Sequence, residues 1–249
     1  MRVIVLGALG RMGSLLFDRL KTRNDIKVVA LVDERFSVDE VDVVCAYKRL
    51  EFVKEKADVV VNFASHTLAF DIVRFALDNN VALCELCTGH TQDEKRHIES
   101  ASEHIPVFFA SNTALGIAYI SKISQKLAQL FLDADIEIVE AHHSKKADAP
   151  SGTALELADK IVKARKFGNI CVGNRHGERK IGDVCVHALR MGGIFGEHTV
   201  YIDTGQERII LGHVAHSRAL YAEGAEQAMR YICTKERGLY SACDLIGGI

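Results

Sequence analysis

Arg2-Val-Ile-Val-Leu-Gly-Ala-Leu-Gly-Arg-Met-Gly-Ser-Leu-Leu-Phe-Asp-Arg-Leu20 is the stretch that decides the fold. It opens as an apolar run of strand length, passes through three glycines, and continues with apolar residues at helical spacing. Strand, glycine turn and helix follow one another without a gap. Gly7, Gly10 and Gly13 let the chain turn tightly, let backbone approach a pyrophosphate, and let the helix pack on the strand. The next apolar run, Lys27-Val-Val-Ala-Leu-Val32, ends in Asp33, about 20 residues beyond the loop, where an acid accepts ribose hydroxyls. Gly7, Ala8, Leu9, Gly10, Arg11, Met12, Gly13 and Asp33 are therefore candidates for holding a dinucleotide.

Outward from this unit, strands and helices alternate. Asp58–Phe63 reads as a buried strand, Leu68–Asn79 as a helix, Val81–Cys87 as a strand, Gln92–Ala101 as a polar helix and Pro106–Ala110 as a strand. The stretch from Phe36 to Glu55 is less regular, too short for a further strand and helix. Such alternation predicts an α/β, Rossmann-like doubly wound parallel sheet. After a helix over Leu115–Leu132 the pattern changes: Asp183–Arg190, His198–Asp203 and Glu207–Ala215 are strands with no helices between them. They predict a smaller α+β domain with an open mixed, mostly antiparallel sheet, helical on one face, of a kind that often carries a subunit interface. Helices over Ala219–Lys235 and near Leu239–Leu245 should return to the first domain. The expected domains are 1–113 with 218–249, and 114–217.

Composition narrows the classes. A formal charge of −2 argues against a general nucleic-acid binder, and no apolar run approaches the roughly 20 residues of a membrane span. Met1 leads straight into a strand, so a cytoplasmic protein is expected. Seven cysteines, an odd number, read as reduced thiols. Cys84-Glu-Leu-Cys87 is a CxxC, but no second CxxC or HxxxH accompanies it, so a buried strand end is preferred to a redox or metal site, and no metal is expected.

The chemistry is concentrated in Glu140-Ala-His-His-Ser-Lys-Lys-Ala-Asp-Ala-Pro-Ser-Gly-Thr153. The preceding Ile136-Glu-Ile-Val-Glu140 alternates as a half-buried strand does, so the histidines emerge at a strand end. Ser151-Gly-Thr153 starts the next helix and supplies N-cap candidates. His142, His143, Lys145, Lys146 and a helix N-terminus offer positive charge and donors with no fixed acceptor, which suits a small anionic ligand.

This block resembles, nearly letter for letter, the signature of the bacterial dihydrodipicolinate reductases, in which Glu-Ala-His-His is followed by a lysine and then Asp-Ala-Pro-Ser-Gly-Thr-Ala. The same family has a GxxGRMG loop, matched by Gly7, Gly10, Arg11, Met12 and Gly13, where the general GxGxxG frame would place glycine at Ala8. Arg190-Met-Gly-Gly-Ile-Phe-Gly-Glu-His198 and Ser217-Arg218 resemble two further family segments.

The resemblance implies reduction of a cyclic imine dicarboxylate to tetrahydrodipicolinate on the way to diaminopimelate and lysine, by a homotetramer using NADH or NADPH. His142 would be the acid/base, Lys146 its companion donor, and His143, Ser151, Gly152 and Thr153 the substrate contacts. Leu86, Cys87, Thr88, Ala110, Ser111, Asn112 and Thr113 would contact the nicotinamide half of the cofactor. The family commonly has Gly-Thr-Thr-Gly where this chain has Leu86-Cys-Thr-Gly89. His66 and His90, beside these loops, read as packed or surface residues. Arg190 and Arg218 read as ion-pair partners or substrate contacts. Asp33 and Glu34 together favour NADH over NADPH, with Arg35 the only nearby cation to offset their charge.

Overall fold

In the computed structural model, which describes residues 1–37, 40–42, 44–173 and 177–247, the opening strand β1 (Arg2–Leu6) is buried from both sides. Val3 and Val5 face one apolar cluster, and Ile4 and Leu6 face another. That two-sided burial is what a parallel sheet between helical layers requires. The chain continues through α1 (Arg11–Leu20), β2 (Lys27–Val32), the short β3 (Glu40–Val41) and β4 (Val44–Tyr47), then β5 (Val59–Asn62), α2 (Ala69–Asn79), β6 (Ala82–Glu85), α3 (Gln92–Ala101) and β7 (Pro106–Phe109). After the second unit it returns as α6 (Ala219–Ile232), β13 (Gly238–Tyr240) and α7 (Ala242–Leu245), α4–α5 and β8–β12 lying between.

These strands form one sheet in the order β13-β7-β6-β5-β1-β2-β4-β3. All neighbours are parallel except β3 and β4. Leu16, Phe17 and Leu20 of α1 and Ala225, Ala228, Met229 and Ile232 of α6 cover one face. Ile72, Val73 and Ala76 of α2 and Ile98 of α3 cover the other. Leu239, expected in a closing helix, lies instead in β13, an edge strand of three residues bonded to β7. So short a strand has no periodicity to read; its backbone pairing defines it.

The second unit runs from Leu115 to Arg218 and includes the tail from Ile246, which was expected with the first unit; Lys122 Nζ donates to the carbonyl of Gly247. Residues 248 and 249 lie outside the described residues. Its elements are α4 (Leu115–Leu130), β8 (Asp135–His142), α5 (Gly152–Arg165), β9 (Ile170–Val172), β10 (Val184–Arg190), β11 (Glu197–Asp203) and β12 (Arg208–Val214). The sheet order is β12-β11-β8-β10-β9. β11 pairs antiparallel with β8 and β12, whereas β10 pairs parallel with β8 and β9. The sheet is mixed, with a smaller antiparallel share than expected, because α5 carries the chain back across the sheet between β8 and β10. Ile136 and Ile138 of β8, Val200 and Ile202 of β11, and Leu157 and Ile161 of α5 make its core.

Where β1 turns into α1, Gly7 and Gly13 have no room for a side chain. A Cβ on Gly13 would stand 2.1 Å from the carbonyl oxygen of Gly7, and Gly7 itself has φ +73° with the Ala64 backbone 2.7 Å from a Cβ placed there. Gly13→Ala should therefore destabilise the protein by about 1–3 kcal/mol or more, the range for overpacking a tight contact. Urea unfolding checks this, with a lowered midpoint at unchanged slope as the expected result.

Candidate active site

The block after β8 is organised by a residue to which the sequence reading assigned no role. Residues two apart on a strand share a face, so Ile136, Ile138, Glu140 and His142 all point inward from β8. Glu140 is fully buried, and its carboxylate takes four hydrogen bonds from three residues. His142 Nδ1 lies 2.6 Å from Oε2, the Ser151 amide donates to Oε1 at 2.9 Å, and Arg190 donates through Nη1 to Oε2 at 2.9 Å and through Nη2 to Oε1 at 2.7 Å. Arg190 stands directly across from His142 in the β8–β10 register. The expectation of donors without a fixed acceptor is thus corrected: the acceptor is Glu140, and strand parity was the signal that would have found it.

Arg190 is accordingly an ion-pair partner, and it also donates to the carbonyls of Asp148 and Leu189. Ser151, expected among the substrate contacts, has a different part. It is 2% exposed, its amide is bonded to Glu140, and its Oγ accepts from the Ala154 amide as the N-cap of α5. Gly152 and Thr153 occupy the first turn, whose amides point outward along a positive helix end. Lys146 Nζ pairs with Asp148 at 2.8 Å. The His143 carbonyl accepts the Lys146 amide, and His143 Nδ1 is buried with no partner among the described residues. Arg218 lies over the ring of Phe195, 5.3 Å from its centroid.

Burial lowers the proton affinity of His142 below that of an ordinary histidine; Glu140 opposes the shift, and Lys146 and Arg190 add to it. Burial alone would raise Glu140, but the bonds from Arg190, His142 and Ser151 outweigh it and keep the carboxyl below its ordinary range. The second buried histidine, His198, closes the Arg190–His198 family segment but had no role assigned from the sequence. It sits across from Glu140 in the β8–β11 register, with its ring edge-on to His142 at 5.3 Å and Nε2 3.3 Å from Ser151 Oγ. Burial pushes it down to about 3, so it is neutral.

In the first unit, Gly7 to Gly13 lie at the carboxyl end of β1, beside the point where the chain crosses from the β2 side of the sheet to the β5 side. Open α/β sheets bind ligands at such a place. Gly10 caps α1 without a side-chain bond, so first-turn amides of Arg11, Met12 and Gly13 face the loop. A cleft of about 1240 Å³, lined among others by Gly7, Gly10, Asp33, Arg35, Lys48 and Arg49, opens there. Asp33 is 7% exposed; it accepts the Leu9 amide at 3.0 Å and holds Arg35 through Nε at 2.7 Å and Nη2 at 2.8 Å. The bond from Arg35, more than any other contact, keeps the Asp33 carboxyl below its ordinary range. Lys48 and Arg49 follow β4, which lies beside β2 in the sheet, so Arg35 is not the only nearby cation.

The remaining cofactor candidates lie on two neighbouring loops. Leu86 and Cys87 are buried after β6. The Cys87 amide donates to Glu85 and its Sγ to the Asn62 carbonyl, while Thr88 is exposed. Burial pushes the Cys84 and Cys87 thiols well above the ordinary thiol range. Ala110, Ser111 and Asn112 are half-buried, and Thr113 Oγ1 donates to the Tyr221 carbonyl. His66 pairs with Glu94, and the His90 ring packs edge-on against Phe109.

Comparison with known proteins agrees over both units. Residues 1–113 match the family described as dihydrodipicolinate reductase, N-terminus, and residues 116–246 match its C-terminus. The 4-hydroxy-tetrahydrodipicolinate reductase of Caldanaerobacter subterraneus subsp. tengcongensis is 35% identical over 98% of both chains. That of Methanocaldococcus jannaschii is 36% identical, covering 99% of this chain and 97% of its own. Among solved structures, dipicolinate-bound dihydrodipicolinate reductase from Paenisporosarcina sp. TG-14 has the same fold, with a TM-score of 0.79 over 97% of each chain at 22% identity. The chain belongs to the dihydrodipicolinate reductase family, and is an NAD(P)H-dependent oxidoreductase that reduces 4-hydroxy-tetrahydrodipicolinate to tetrahydrodipicolinate in diaminopimelate and lysine biosynthesis.

Proposed function

We propose that His142 is the acid that protonates the substrate and Lys146 its companion donor, with His143, Gly152 and Thr153 binding substrate carboxylate. The observation that carries this reading is the buried Glu140–His142 bond at the start of a block rich in donors. Substrate of the dicarboxylate class fits it: Lys146, His143 and the first-turn amides of α5 are all donors, and Ser151 holds that turn in place through Glu140. The Paenisporosarcina reductase is described as dipicolinate-bound, which agrees with a planar dicarboxylate ligand.

The nicotinamide cofactor would lie on the Gly7–Gly13 loop, whose crowding a Cβ would obstruct and whose uncapped helix start suits a pyrophosphate. When bound, it supplies the hydride. Asp33 would take the adenosine ribose, and the loops at Leu86-Cys-Thr88 and Ala110-Ser-Asn-Thr113 would flank the nicotinamide, the former through backbone because Leu86 and Cys87 are buried. NADH is the preferred form and NADPH is accepted. The ribose hydroxyls compete with Arg35 for the Asp33 carboxylate, whereas a 2′-phosphate would draw Arg35 and Lys48 toward itself.

Self-assembly into a homotetramer is part of the same reading. Leu189, Ile210 and Val214 stand 48–57% exposed on the strands of the second unit's sheet, a surface suited to burial against another copy. No helix among the described residues is long and apolar enough to cross a membrane, and we assign the enzyme to the cytoplasm.

His142→Ala and Lys146→Ala should each lower turnover by roughly 100-fold or more, the lower end for a lost general acid, with NADH binding nearly unchanged. Steady-state rates and a nucleotide titration check this; near-normal turnover in both variants would remove the assignment.

Arg35→Ala should widen the preference for NADH. It removes a charge-assisted bond to the phosphate, worth about 1.5–3 kcal/mol, so kcat/KM with NADPH should fall roughly tenfold or more while NADH is retained. An unchanged NADH to NADPH ratio would rule out this part for Arg35.

The direction of the His142 shift gives a pH effect. Its depressed proton affinity leaves the ring neutral near pH 7, and a bound dianion favours the charged form. Dipicolinate binding should therefore take up protons and tighten as pH falls from about 8 toward the depressed value for the ligand-free protein. Calorimetry in buffers of differing ionisation enthalpy measures the uptake. His142→Ala should abolish it, and zero uptake by the wild type would count against His142.

A further inference from the structure

We propose that Glu140 is a positioning residue that fixes His142 in one tautomer, with Nε2 as the atom that delivers the proton, and that Arg190, through its fork to Glu140, sets how firmly that proton is held. This deepens the reading in which His142 is the acid, and rests on it.

The first half follows from hydrogen-bond bookkeeping. An ionised carboxylate only accepts. Glu140 is fully buried, and the Arg190 guanidinium and the Ser151 amide both donate to it, an environment that stabilises the ionised form. His142 Nδ1, 2.6 Å away, must then be the donor. In the neutral ring Nε2 consequently carries a lone pair, and in the charged ring Nε2 carries the proton that can leave. After transfer the ring is left with Nδ1–H on Glu140 and needs no rotation to be recharged.

The second half concerns charge. A carboxylate against an imidazole strengthens its hold on a proton, and a cation weakens it. Arg190 places its positive charge on both oxygens of the same carboxylate, sharing Oε2 with His142 Nδ1, and so cancels much of what Glu140 would otherwise add. The other ionisable groups facing His142 are Lys146, itself paired with Asp148, and His198, which is neutral. Glu140 and Arg190 are joined by a two-bond fork, and they act on His142 in opposite directions.

Opposite directions make the proposal testable. A proton donor is active below its pKa, so its titration is the alkaline limb of the rate profile. In Glu140→Gln the charged ring loses its anionic partner, and the limb of kcat/KM should move about 1 unit or more toward acid. In Arg190→Gln the carboxylate is unscreened, and the limb should move about 1 unit toward alkali. Loss of structure alone would not shift the two limbs in opposite senses. Shifts of the same sign, or a raised KM with an unmoved limb in Arg190→Gln, which would make Arg190 a substrate contact, overturn the proposal. Ring nitrogen NMR on the ligand-free wild type supplies a readout that needs no variant: neutral His142 should carry its hydrogen on Nδ1, and a hydrogen on Nε2 overturns the proposal. That measurement also separates the two levels, because a fully active His142→Ala would remove the acid assignment without altering the tautomer observed.

Discussion

A single buried carboxylate holds the donor block of the second unit together. Glu140 bonds a ring on its own strand, a guanidinium from the neighbouring strand and the amide that begins the following helix. Each partner comes from a different element, so the carboxylate joins β8, β10 and the start of α5 at one point. Burying a charge costs several kcal/mol, and an Arg–carboxylate pair offsets that cost only with good geometry and its remaining lone pairs satisfied. The fork is bidentate and both carboxylate oxygens are met twice, while Arg190 Nε stays buried with no partner among the described residues. Ser151 extends the arrangement by a further bond, since the residue whose amide meets Glu140 also caps α5 with its side chain. The start of α5 and the His142 ring are therefore fixed by the same group.

The first unit shows a related economy with the opposite exposure. Asp33 is buried like Glu140 and also grips an arginine, but Arg35 is largely exposed, with its side chain 58% accessible. A pair whose arginine stands in solvent is worth less in stability than a fully buried one, and its guanidinium can turn to solvent or a ligand. Glu140 and Arg190, with side chains 0% and 17% exposed, have no such freedom. The same chemical pair thus serves as a rigid support at one site and as an exchangeable contact at the other, and burial makes the difference.

The parts of this architecture that were legible in the sequence are those with long or local patterns. The Gly7–Gly13 loop and Asp33 could be read because strand, turn and helix each leave a signal within a few residues, and the two-sided burial of Val3 through Leu6 follows from an unbroken apolar run. The block at 140–153 was legible as a concentration of donors and as a family signature. What escaped was non-local. Arg190 lies 50 positions from Glu140 and reaches it only because β10 pairs parallel with β8, a register that no local pattern discloses. His198 meets Ser151 for the same kind of reason, through the β8–β11 pairing. Lys48 and Arg49 join the cleft around Asp33 through the pairing of β4 with β2. Glu140 itself could have been found, because inward parity on β8 is a local property, but an acidic residue in an alternating strand reads as solvent-facing until its face is worked out.

A buried ion pair is weak grounds for stability, since apolar residues of similar volume often serve as well or better. If Glu140 and Arg190 served only to hold the fold, an apolar pair packed between β8, β10 and α5 could replace them. Such a pair could not accept the Nδ1–H of His142, and it would leave the Ser151 amide without its partner. Those two bonds, which need an acceptor oxygen at this position, are the ones that orient the ring and the helix start. Arg190 is then required by Glu140, because an unpaired charge at full burial would be the costlier state. If His142 is the acid, as proposed, the demand runs from proton transfer to ring orientation, from ring orientation to a buried acceptor, and from the carboxylate to its arginine.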